Sequence, residues 1–405
     1  MAGDWLATTW GDIAELKYGK AMTAYTDQPN VARVYGTNGP IGWHDTPLQP
    51  GPGVIVGRKG AYRGVHFADH PFWVIDTAYY LKPLVPMDLR WAYYWLLDYD
   101  VNNIDDGSPI PSTTRDAFGF TPVKFPPLSE QTRIAHFLAS LDAKVDLNRQ
   151  MAATLEDLAR ALFKSWFVDF GPVHAKAEGR DTGLPAEIAA LFSDSFEDDG
   201  LPKGWMQSTV GELFSIVAGN TPSTKRAEYW DGPHAWATPK DMSGLPGPLL
   251  TKTDRSLTEQ GFDVCSSGEI PEMSLLMSSR APVGYLAFNA LPVSINQGIA
   301  AFVSRTLSPF YAWAWCHENM KLIKSNANGS TFQEISKGVL RTIAMTKPSQ
   351  AVHDAFVVIM ETTFSRIVQL AEETASLTGL RDELLPKLLS GELRVADAET
   401  VIAAA

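Results

Sequence analysis

Hydrophobic side chains in residues 129–167 recur at alternating spacings of four and three, which is the 3.5-residue repeat of a coiled-coil seam. Ser129, which follows Pro126, Pro127 and Leu128, is a suitable N-cap, and Glu130 lies in the first turn, where the helix dipole favours an acidic residue. At 1.5 Å per residue, the predicted helix is roughly 58 Å long. Its seam positions are Ile134, Leu138, Leu141, Val145, Asn148, Ala152, Leu155, Ala159, Leu162 and Trp166. Asn148 is a polar break that can fix the register of pairing.

A second long helix with a less regular repeat is predicted from Ser349 onward. Thr363, Thr374 and Arg381 interrupt its seam, so either the register shifts locally or these residues face a partner subunit. We expect the two seams to pair as an antiparallel coiled coil with a pseudo-two-fold relation, placing one domain at each end. The alternative is two independent helices, each docked on its own domain. The residues expected to pair the helices are Ile134, Leu138, Leu141, Val145, Leu155, Leu162, Phe356, Met360, Ile367, Leu370, Leu377 and Leu384.

The segments that precede these helices contain short β-branched and aromatic runs bounded by Gly and Pro, as strands do. Val54–Val56 and Phe72–Ile75 are such runs in the first half, and a helical pattern over Leu89–Leu97 follows them. Leu275–Met277 and Val293–Ile295 are similar runs in the second half. The predicted fold class is therefore α+β, with two mixed α/β domains and two long helices.

The chain also repeats itself, because Trp5–Ile13 returns as Trp205–Leu213, 200 residues later. This period is too long for a solenoid and indicates one domain and its helix duplicated in tandem. We divide the chain into a first domain, a first helical region, a connector, a second domain, a second helical region and a tail. These span residues 1–128, 129–170, 171–200, 201–348, 349–395 and 396–405.

Composition is that of a globular protein, with 45% hydrophobic and 20% charged residues. Neither a membrane span nor a signal peptide is visible. Cys265 and Cys316 stand in unrelated contexts, so we expect no disulfide scaffold and a cytoplasmic location. The net charge of −12 argues against nucleic-acid binding over the whole surface but allows a local basic strip. Arg58, Lys59 and Arg63 form one such cluster, for which a solvated loop is the alternative interpretation.

Motifs for catalysis are missing from the sequence, including the phosphate loop GxxxxGK[ST], GxGxxG and GxSxG. Residues 15–17 (ELK) match half of a metal-dependent nuclease motif, but no Pro-Asp precedes them at a suitable distance. His66 and His70 are four residues apart, which would suit zinc on a helix, but Pro71 and the strand pattern argue against a helix there. We therefore expect no catalytic, metal or cofactor site in this chain.

Three segments resemble those of type I restriction-modification specificity subunits. They are Pro126–Ala135 (PPLSEQTRIA), Leu162–Pro172 (LFKSWFVDFGP) and Leu384–Arg394 (LLPKLLSGELR), and the entry Leu201–Trp205 also fits. In that family, two target-recognition domains alternate with two helical regions. Each domain reads half of a split DNA sequence, and the helices set the spacing between the halves.

The resemblance implies a non-catalytic subunit that binds double-stranded DNA at a bipartite, asymmetric target. It also implies two methyltransferase partners, which methylate adenine. Two restriction (translocase) partners, which cut DNA, are implied as well. S-adenosylmethionine, ATP and Mg would be cofactors of those partners, not of this chain. The alternatives are a stand-alone nuclease and a scaffold whose duplicated domains bind proteins.

Base contacts in such domains should come from polar and basic side chains on glycine-rich loops. In the first domain the candidates are Thr37, Asn38, Arg58, Lys59, Arg63 and Ser108. In the second domain they are Lys225, Arg226, Lys240, Ser279, Arg280 and Gln297. The outward helix faces around Arg133, Lys144, Arg149 and Lys164 are candidate docking sites for the methyltransferase, with plain solvent exposure as the alternative.

Overall fold

The computed structural model of the chain describes residues 5–104, 111–280, 282–328 and 333–398. In the first half, the strands are β1 (Leu6–Thr9), β2 (Ala14–Tyr18), β3 (Ala32–Gly36), β4 (Gly39–His44), β5 (Gly53–Gly57), β6 (Val65–Ala68), β7 (Phe72–Val74), β8 (Ala78–Pro83) and β9 (Pro122–Phe125). The helices are α1 (Trp10–Ile13), α2 (Leu89–Tyr99), α3 (Arg115–Phe120) and the long α4 (Leu128–Phe167), with a 3-10 turn at Val101–Asn103.

The connector contains two short helices, α5 (Gly171–Ala177) and α6 (Ala186–Ala189). The strands of the second half are β10 (Met206–Thr209), β11 (Phe214–Ala218), β12 (Trp230–Ala237), β13 (Leu249–Leu250), β14 (Arg255–Leu257), β15 (Leu275–Ser278), β16 (Leu286–Asn289), β17 (Ser294–Ile295), β18 (Ile299–Ser304) and β19 (Ala344–Lys347). The helices are α7 (Val210–Leu213), α8 (Pro239–Met242), α9 (Glu259–Asp263), α10 (Pro309–Glu318), α11 (Met320–Ser325), α12 (Lys337–Thr342) and the long α13 (Gln350–Ser390), with a 3-10 turn at Ala227–Tyr229.

The chain divides into two compact units. Unit 1 comprises Met1–Asp146 and Ala375–Ala405, and unit 2 comprises Leu147–Thr374. Each unit therefore combines one globular domain with a part of α4 and a part of α13. The predicted modules end where the domains meet the helices, whereas the compact units end within the helices.

Both units contain the same arrangement of sheets. Unit 1 has a four-stranded sheet in the order β2-β8-β5-β6, a three-stranded sheet β4-β3-β7 and the pair β1-β9. Unit 2 repeats these as β11-β18-β15-β16, extended by β13, with β14-β12-β17 and β10-β19. The predicted fold class, with its internal repeat of a mixed α/β domain, is confirmed.

The repeated sequence at the start of each domain has a local structural cause. Asp12 accepts a hydrogen bond from the Thr9 backbone N–H at 3.1 Å, and Glu212 accepts one from the Thr209 backbone N–H at 3.1 Å. Each acidic residue lies at the third position of a one-turn helix, as in a capping box, which fixes the turn between two strands.

Two glycines at matching positions allow the backbone to approach closely in both units. A Cβ on Gly19 would lie 2.1 Å from the Ile75 carbonyl oxygen, and a Cβ on Gly219 would lie 1.6 Å from the Ile295 carbonyl oxygen. Both distances are far below contact, so each position requires glycine.

In unit 1, the beginning of α4 runs antiparallel to the end of α13. Arg381 donates to Asp142 at 2.7 Å, and Arg394 donates to Glu130 at 2.9 Å. Asp142 also accepts from the Tyr94 hydroxyl at 2.6 Å. The Arg381 that interrupts the predicted seam is thus an ion-pair partner of the other helix. Residues of both helices pack in the core of the domain, namely Ile134, Leu138, Leu384, Leu388 and Leu389.

In unit 2, aromatic residues join the end of α4 to the beginning of α13. Phe163, Trp166 and Phe167 have ring centroids 5.9, 6.2 and 5.0 Å from that of Phe356. Met360 and Phe364 belong to the same buried cluster. The two helices therefore contact each other and do not simply dock on separate domains.

The expected seam residues differ in burial. Buried members are Ile134, Leu138, Leu141, Val145, Phe356, Met360, Ile367, Leu370 and Leu384. Leu155, Leu162 and Leu377 are only partly buried. Near the end of α4, Phe163 and Phe167 are buried in the core of unit 2.

Candidate nucleic-acid interface

In unit 1, the loop that follows β5 joins three separate segments of the chain. The Arg58 backbone N–H donates to the Thr77 carbonyl at 3.0 Å, and the Arg58 carbonyl accepts from the Thr113 N–H at 2.9 Å. Lys59 pairs with Ser112 in an isolated antiparallel bridge. These contacts hold Arg58 and Lys59 at one end of the four-stranded sheet, where the lysine side chain is exposed.

Two guanidinium groups at this end of the sheet lie against Tyr18. The Arg58 and Arg115 guanidinium carbons are 4.9 and 4.8 Å from the centroid of its ring. Arg58 also donates from Nη1 to the backbone carbonyl of Asp76 at 3.0 Å. Burial and a hydrogen bond with Tyr18 raise the pKa of Tyr79 to about 12, so this phenol is neutral at pH 7. The arrangement is a cationic surface built on an aromatic ring.

Thr37 and Asn38 form the two-residue turn between β3 and β4, close to the same loop. The Thr37 hydroxyl donates to the Thr77 carbonyl, and the Thr37 carbonyl accepts from the Gly64 N–H at 3.0 Å. A Cβ on Gly57 would lie 2.7 Å from the Thr37 carbonyl oxygen, so the approach of this turn requires glycine there. The structure thus brings Thr37 and Asn38 next to Arg58.

Arg63 occupies a different environment from its neighbours in the sequence. It is 3% exposed, and its Nη2 donates to the Asn102 carbonyl at 2.9 Å. Its backbone N–H donates to the Asn102 Oδ1 at 2.8 Å. These contacts make Arg63 a buried link between the loop and the turn at Val101–Asn103. Ser108, the remaining candidate in the first domain, lies outside the described residues.

In unit 2, the loop that follows β15 is built by the same hydrogen bonds. The Ser279 N–H donates to the Gly298 carbonyl at 2.8 Å, and the Ser279 carbonyl accepts from the Ile335 N–H at 3.0 Å. Arg280 pairs with Glu334 in an isolated antiparallel bridge, and Arg280 Nη1 lies 3.8 Å from Glu334 Oε2. Ser279 is buried, whereas Arg280 is partly exposed.

Gln297 and Lys240 lie beside this loop. Gln297 immediately precedes Gly298, and its Oε1 accepts from the Thr221 hydroxyl at 2.7 Å. Space beside Gly298 is limited by Pro239, the residue before Lys240, whose Cγ would be 3.0 Å from an added Cβ. Lys240 is exposed and donates to Asp254 at 2.8 Å, a hydrogen bond that raises the pKa of the lysine.

Lys225 and Arg226 lie on the loop before β12, and both are exposed. Arg226 donates to the Tyr229 hydroxyl at 2.7 Å, and its guanidinium carbon is 5.4 Å from the centroid of that ring. Among the hydrogen bonds and ion pairs of the described residues, none joins these two side chains to Arg280.

Three residues beside these loops, two in unit 1 and one in unit 2, escaped the sequence analysis. Tyr18 lies at the end of a strand, where it resembles any half-buried aromatic residue. Arg115 and Lys337 are the first residues of α3 and α12, directly after the N-cap residues Thr114 and Ser336. An alignment of the two halves on these N-caps would reveal the repeated basic position.

No cluster of three or more His, Cys, Asp or Glu side chains that could hold a metal occurs among the described residues. Glu15 forms ion pairs with Lys17 and Lys82 at 2.8 and 3.3 Å. Both cysteines are buried and free. In the described parts of the chain, no helix is long and apolar enough to cross a membrane.

The candidate docking residues lie on the surface of α4. Arg133 is 3.8 Å from Glu130, and Lys164 donates to Asp169 at 2.7 Å. Lys144 and Arg149 also have interaction partners within the protein.

The fold has a counterpart among solved structures. It is similar to the crystal structure of a type I restriction-modification system S subunit from M. genitalium, with a TM-score of 0.61 and 18% sequence identity. The similarity covers 95% of this chain and 96% of that one. The two proteins thus share one fold, in which an α/β domain is repeated along the chain.

The sequence places the chain in a family. The family model of the type I restriction modification DNA specificity domain matches residues 3–157 and again residues 202–373, one match for each copy of the repeat. The chain belongs to this family, and the resemblance noted in the sequence is confirmed.

Two relatives illustrate the similarity. The HindI specificity subunit from Haemophilus influenzae is 28% identical over 329 residues, which cover 70% of this chain and 71% of the relative. The MjaIX specificity subunit from Methanocaldococcus jannaschii is 31% identical over 152 residues, covering 37% of this chain and 35% of the relative. Both are named as specificity subunits of type I restriction enzymes.

Proposed function

We propose that this chain is the DNA-reading subunit of a type I restriction-modification complex, in which each domain binds one half of a bipartite, asymmetric target. The observation that carries the proposal is the loop after β5, which recurs after β15 with the same hydrogen bonds and a basic residue at the bridge. Two copies of one surface suit two DNA segments, and divergence between the copies suits two different sequences.

Chemistry on the DNA belongs to partner subunits in this proposal. Two methyltransferase subunits methylate adenine, and two restriction (translocase) subunits act on unmodified DNA. S-adenosylmethionine, ATP and Mg are then cofactors of the partners, and the complex works in the cytoplasm. The net charge of −12 fits this division of labour, since partners can supply much of the phosphate-neutralising charge.

Mapping of methylated adenines tests the proposal. The chain is produced with its methyltransferase subunits in a host without other adenine methylation, and the modified positions are sequenced. We expect one split motif with a fixed spacer, and a footprint of the purified complex that protects both halves.

A methylation pattern with no split motif would contradict the proposal. DNA cleavage by the isolated chain would instead favour a stand-alone nuclease. Binding of proteins alone, with no footprint on DNA, would favour a scaffold.

A further inference from the structure

The two units of this protein permit a position-by-position comparison within one chain. The matched hydrogen bonds align Arg58 with Ser279 and therefore Lys59 with Arg280. The bridge partners, Ser112 and Glu334, are aligned by the same contacts.

The short helix that follows each bridge extends the alignment. Thr114 and Ser336 each accept a hydrogen bond from the backbone N–H three residues later, at 3.2 Å in both units. Arg115 and Lys337 consequently occupy the same position, three residues after the bridge. Both side chains are exposed.

Positive charge is retained at two of the aligned positions, although the residue type changes. Lys59 corresponds to Arg280, and Arg115 corresponds to Lys337. A requirement for charge, rather than for one hydrogen-bonding geometry, would allow this exchange, because lysine and arginine differ in their donor geometry.

At neighbouring aligned positions, the residue type and its charge differ between the two units. Arg58 corresponds to the buried Ser279, and the strand pairing aligns Tyr18, opposite Tyr79, with Ala218, opposite Ala300. The stacked arginine of unit 1 therefore has no counterpart at this position of unit 2. The loop thus combines constant charge with variable side chains.

Like charges are gathered in unit 1, where the Arg58 and Arg115 guanidinium groups both lie over the ring of Tyr18 and Lys59 is next in the chain. Such a cluster is unfavourable by itself and becomes favourable beside a polyanion. The DNA backbone presents phosphates whatever the sequence, whereas base edges differ between two half-sites. Constant charge therefore fits phosphates, and variable side chains fit bases.

We propose that Lys59 and Arg115 in unit 1, and Arg280 and Lys337 in unit 2, contact DNA phosphates and position the two domains on the duplex. The inference rests on the proposed function and makes these four residues positioning residues instead of base readers. It reassigns Lys59 and Arg280, and it adds Arg115 and Lys337.

The two basic pairs are expected to differ in how strongly they bind DNA phosphates. Glu334 lies across the bridge from Arg280, at 3.8 Å, whereas the neutral Ser112 stands opposite Lys59. The carboxylate competes with phosphate for Arg280. Removal of its charge by Glu334→Gln should strengthen DNA binding and steepen its dependence on salt.

The experiment measures DNA affinity of the complex with its methyltransferase subunits between 50 and about 300 mM salt, a range over which phosphate contacts dominate the change. One duplex carries the mapped target and another is unrelated in sequence. For Lys59→Gln/Arg115→Gln, we expect the slope of log affinity against log salt to fall by about 2, at about 0.9 per phosphate, on both duplexes. For the double variant Arg280→Gln/Lys337→Gln, we expect the same slope to fall by about 1 to 2.

Lys82→Gln is the matched control, because Lys82 is an exposed lysine near the opposite end of β8 from Thr77. It should leave the slope unchanged, and equal melting temperatures of all variants show that folding is intact. A double variant with an unchanged slope would overturn the inference, as would a changed base preference in one half-site. If the wild-type complex shows no split target, the proposed function fails, while the slope on the unrelated duplex still tests the phosphate contacts.

Discussion

His317 shows how a single residue can couple the protein to pH. Burial, and to a smaller extent the charge of Arg160, lowers its pKa to about 4. Its ring packs against Trp313, with the centroids 4.4 Å apart. His317 and Glu156 both line one cavity of unit 2, and burial raises the pKa of the Glu156 carboxyl group. Both groups are therefore held toward their neutral forms.

We predict that acidification destabilises unit 2 through His317. Between pH 6.5 and about 4, the unfolded chain binds a proton at this position and the folded chain does not, so stability falls as the pH falls. The free energy of unfolding should fall by about 1–3 kcal/mol, a range that allows for the partial exposure of His317. Chemical denaturation at pH 7 and pH 4.5 measures it.

His317→Gln is the informative variant, because it keeps a polar side chain that does not titrate. Between pH 7 and pH 4.5, the free energy of unfolding of the variant should fall by about 1–3 kcal/mol less than that of the wild type. Since Glu156 titrates with the opposite sign, only the difference between wild type and variant isolates His317. An identical pH dependence in both proteins would refute the assignment.

At the scale of elements, Asn148 is a polar residue in the otherwise apolar seam of α4. Its side chain is completely buried, and within the described residues neither Oδ1 nor Nδ2 has a hydrogen-bond partner. A buried amide without partners costs free energy, so the residue reduces the stability of unit 2. A cost of this kind is known to be tolerated where a polar residue fixes helix register.

We predict that Asn148→Leu raises the free energy of unfolding by about 1–3 kcal/mol, because it removes an unsatisfied polar group and adds apolar contact. Denaturant titration followed by helix signal measures the change. Leu147→Ala, at an exposed neighbouring position, should have little effect. Destabilisation by Asn148→Leu would show that Asn148 has partners that compensate its burial.

At the scale of the whole molecule, the repeat gives each domain its own core and its own loop surface. Trp10 and Trp91 are buried in one core, and Phe214 and Phe302 are buried in the other. Separate cores permit one domain to change its loops while the other keeps its own. The α4 helix, Leu128–Phe167, runs without a break from unit 1 into unit 2.

We predict that exchange of residues 1–128 for the corresponding domain of another family member changes only one half of the methylated motif. The reason is that each domain carries its own loop after β5 or β15. Sequencing of methylated adenines reads the result, and exchange of residues 201–348 is the reciprocal control. A change in both halves after one exchange would contradict modular recognition.

We also predict that four residues inserted into α4 change the spacer between the half-sites. A continuous helix gains about 6 Å from four residues, which corresponds to roughly two base pairs. The same insertion after Gly183, an exposed residue of the connector, is the control and should leave the spacer unchanged. An unaltered spacer after the helix insertion would rule out α4 as a determinant of spacing.

Much of the fold was readable from the sequence because periodicity and duplication are local signals. The heptad positions Ile134, Leu138 and Val145 are buried as the spacing predicts, and the short apolar run at Val54–Val56 lies within a strand. Family membership also follows from contiguous strings of residues. These features depend on neighbours along the chain, so the sequence determined them by itself.

The tertiary structure decided which polar residues form a surface. Arg58 and Arg63 stand five residues apart in one glycine-rich segment, yet Arg58 lies over Tyr18 and Arg63 is buried against Asn102. Arg115 joins Arg58 on the same ring from a segment distant in the chain. Such groupings depend on contacts between remote segments, and side-chain periodicity carries no information about them.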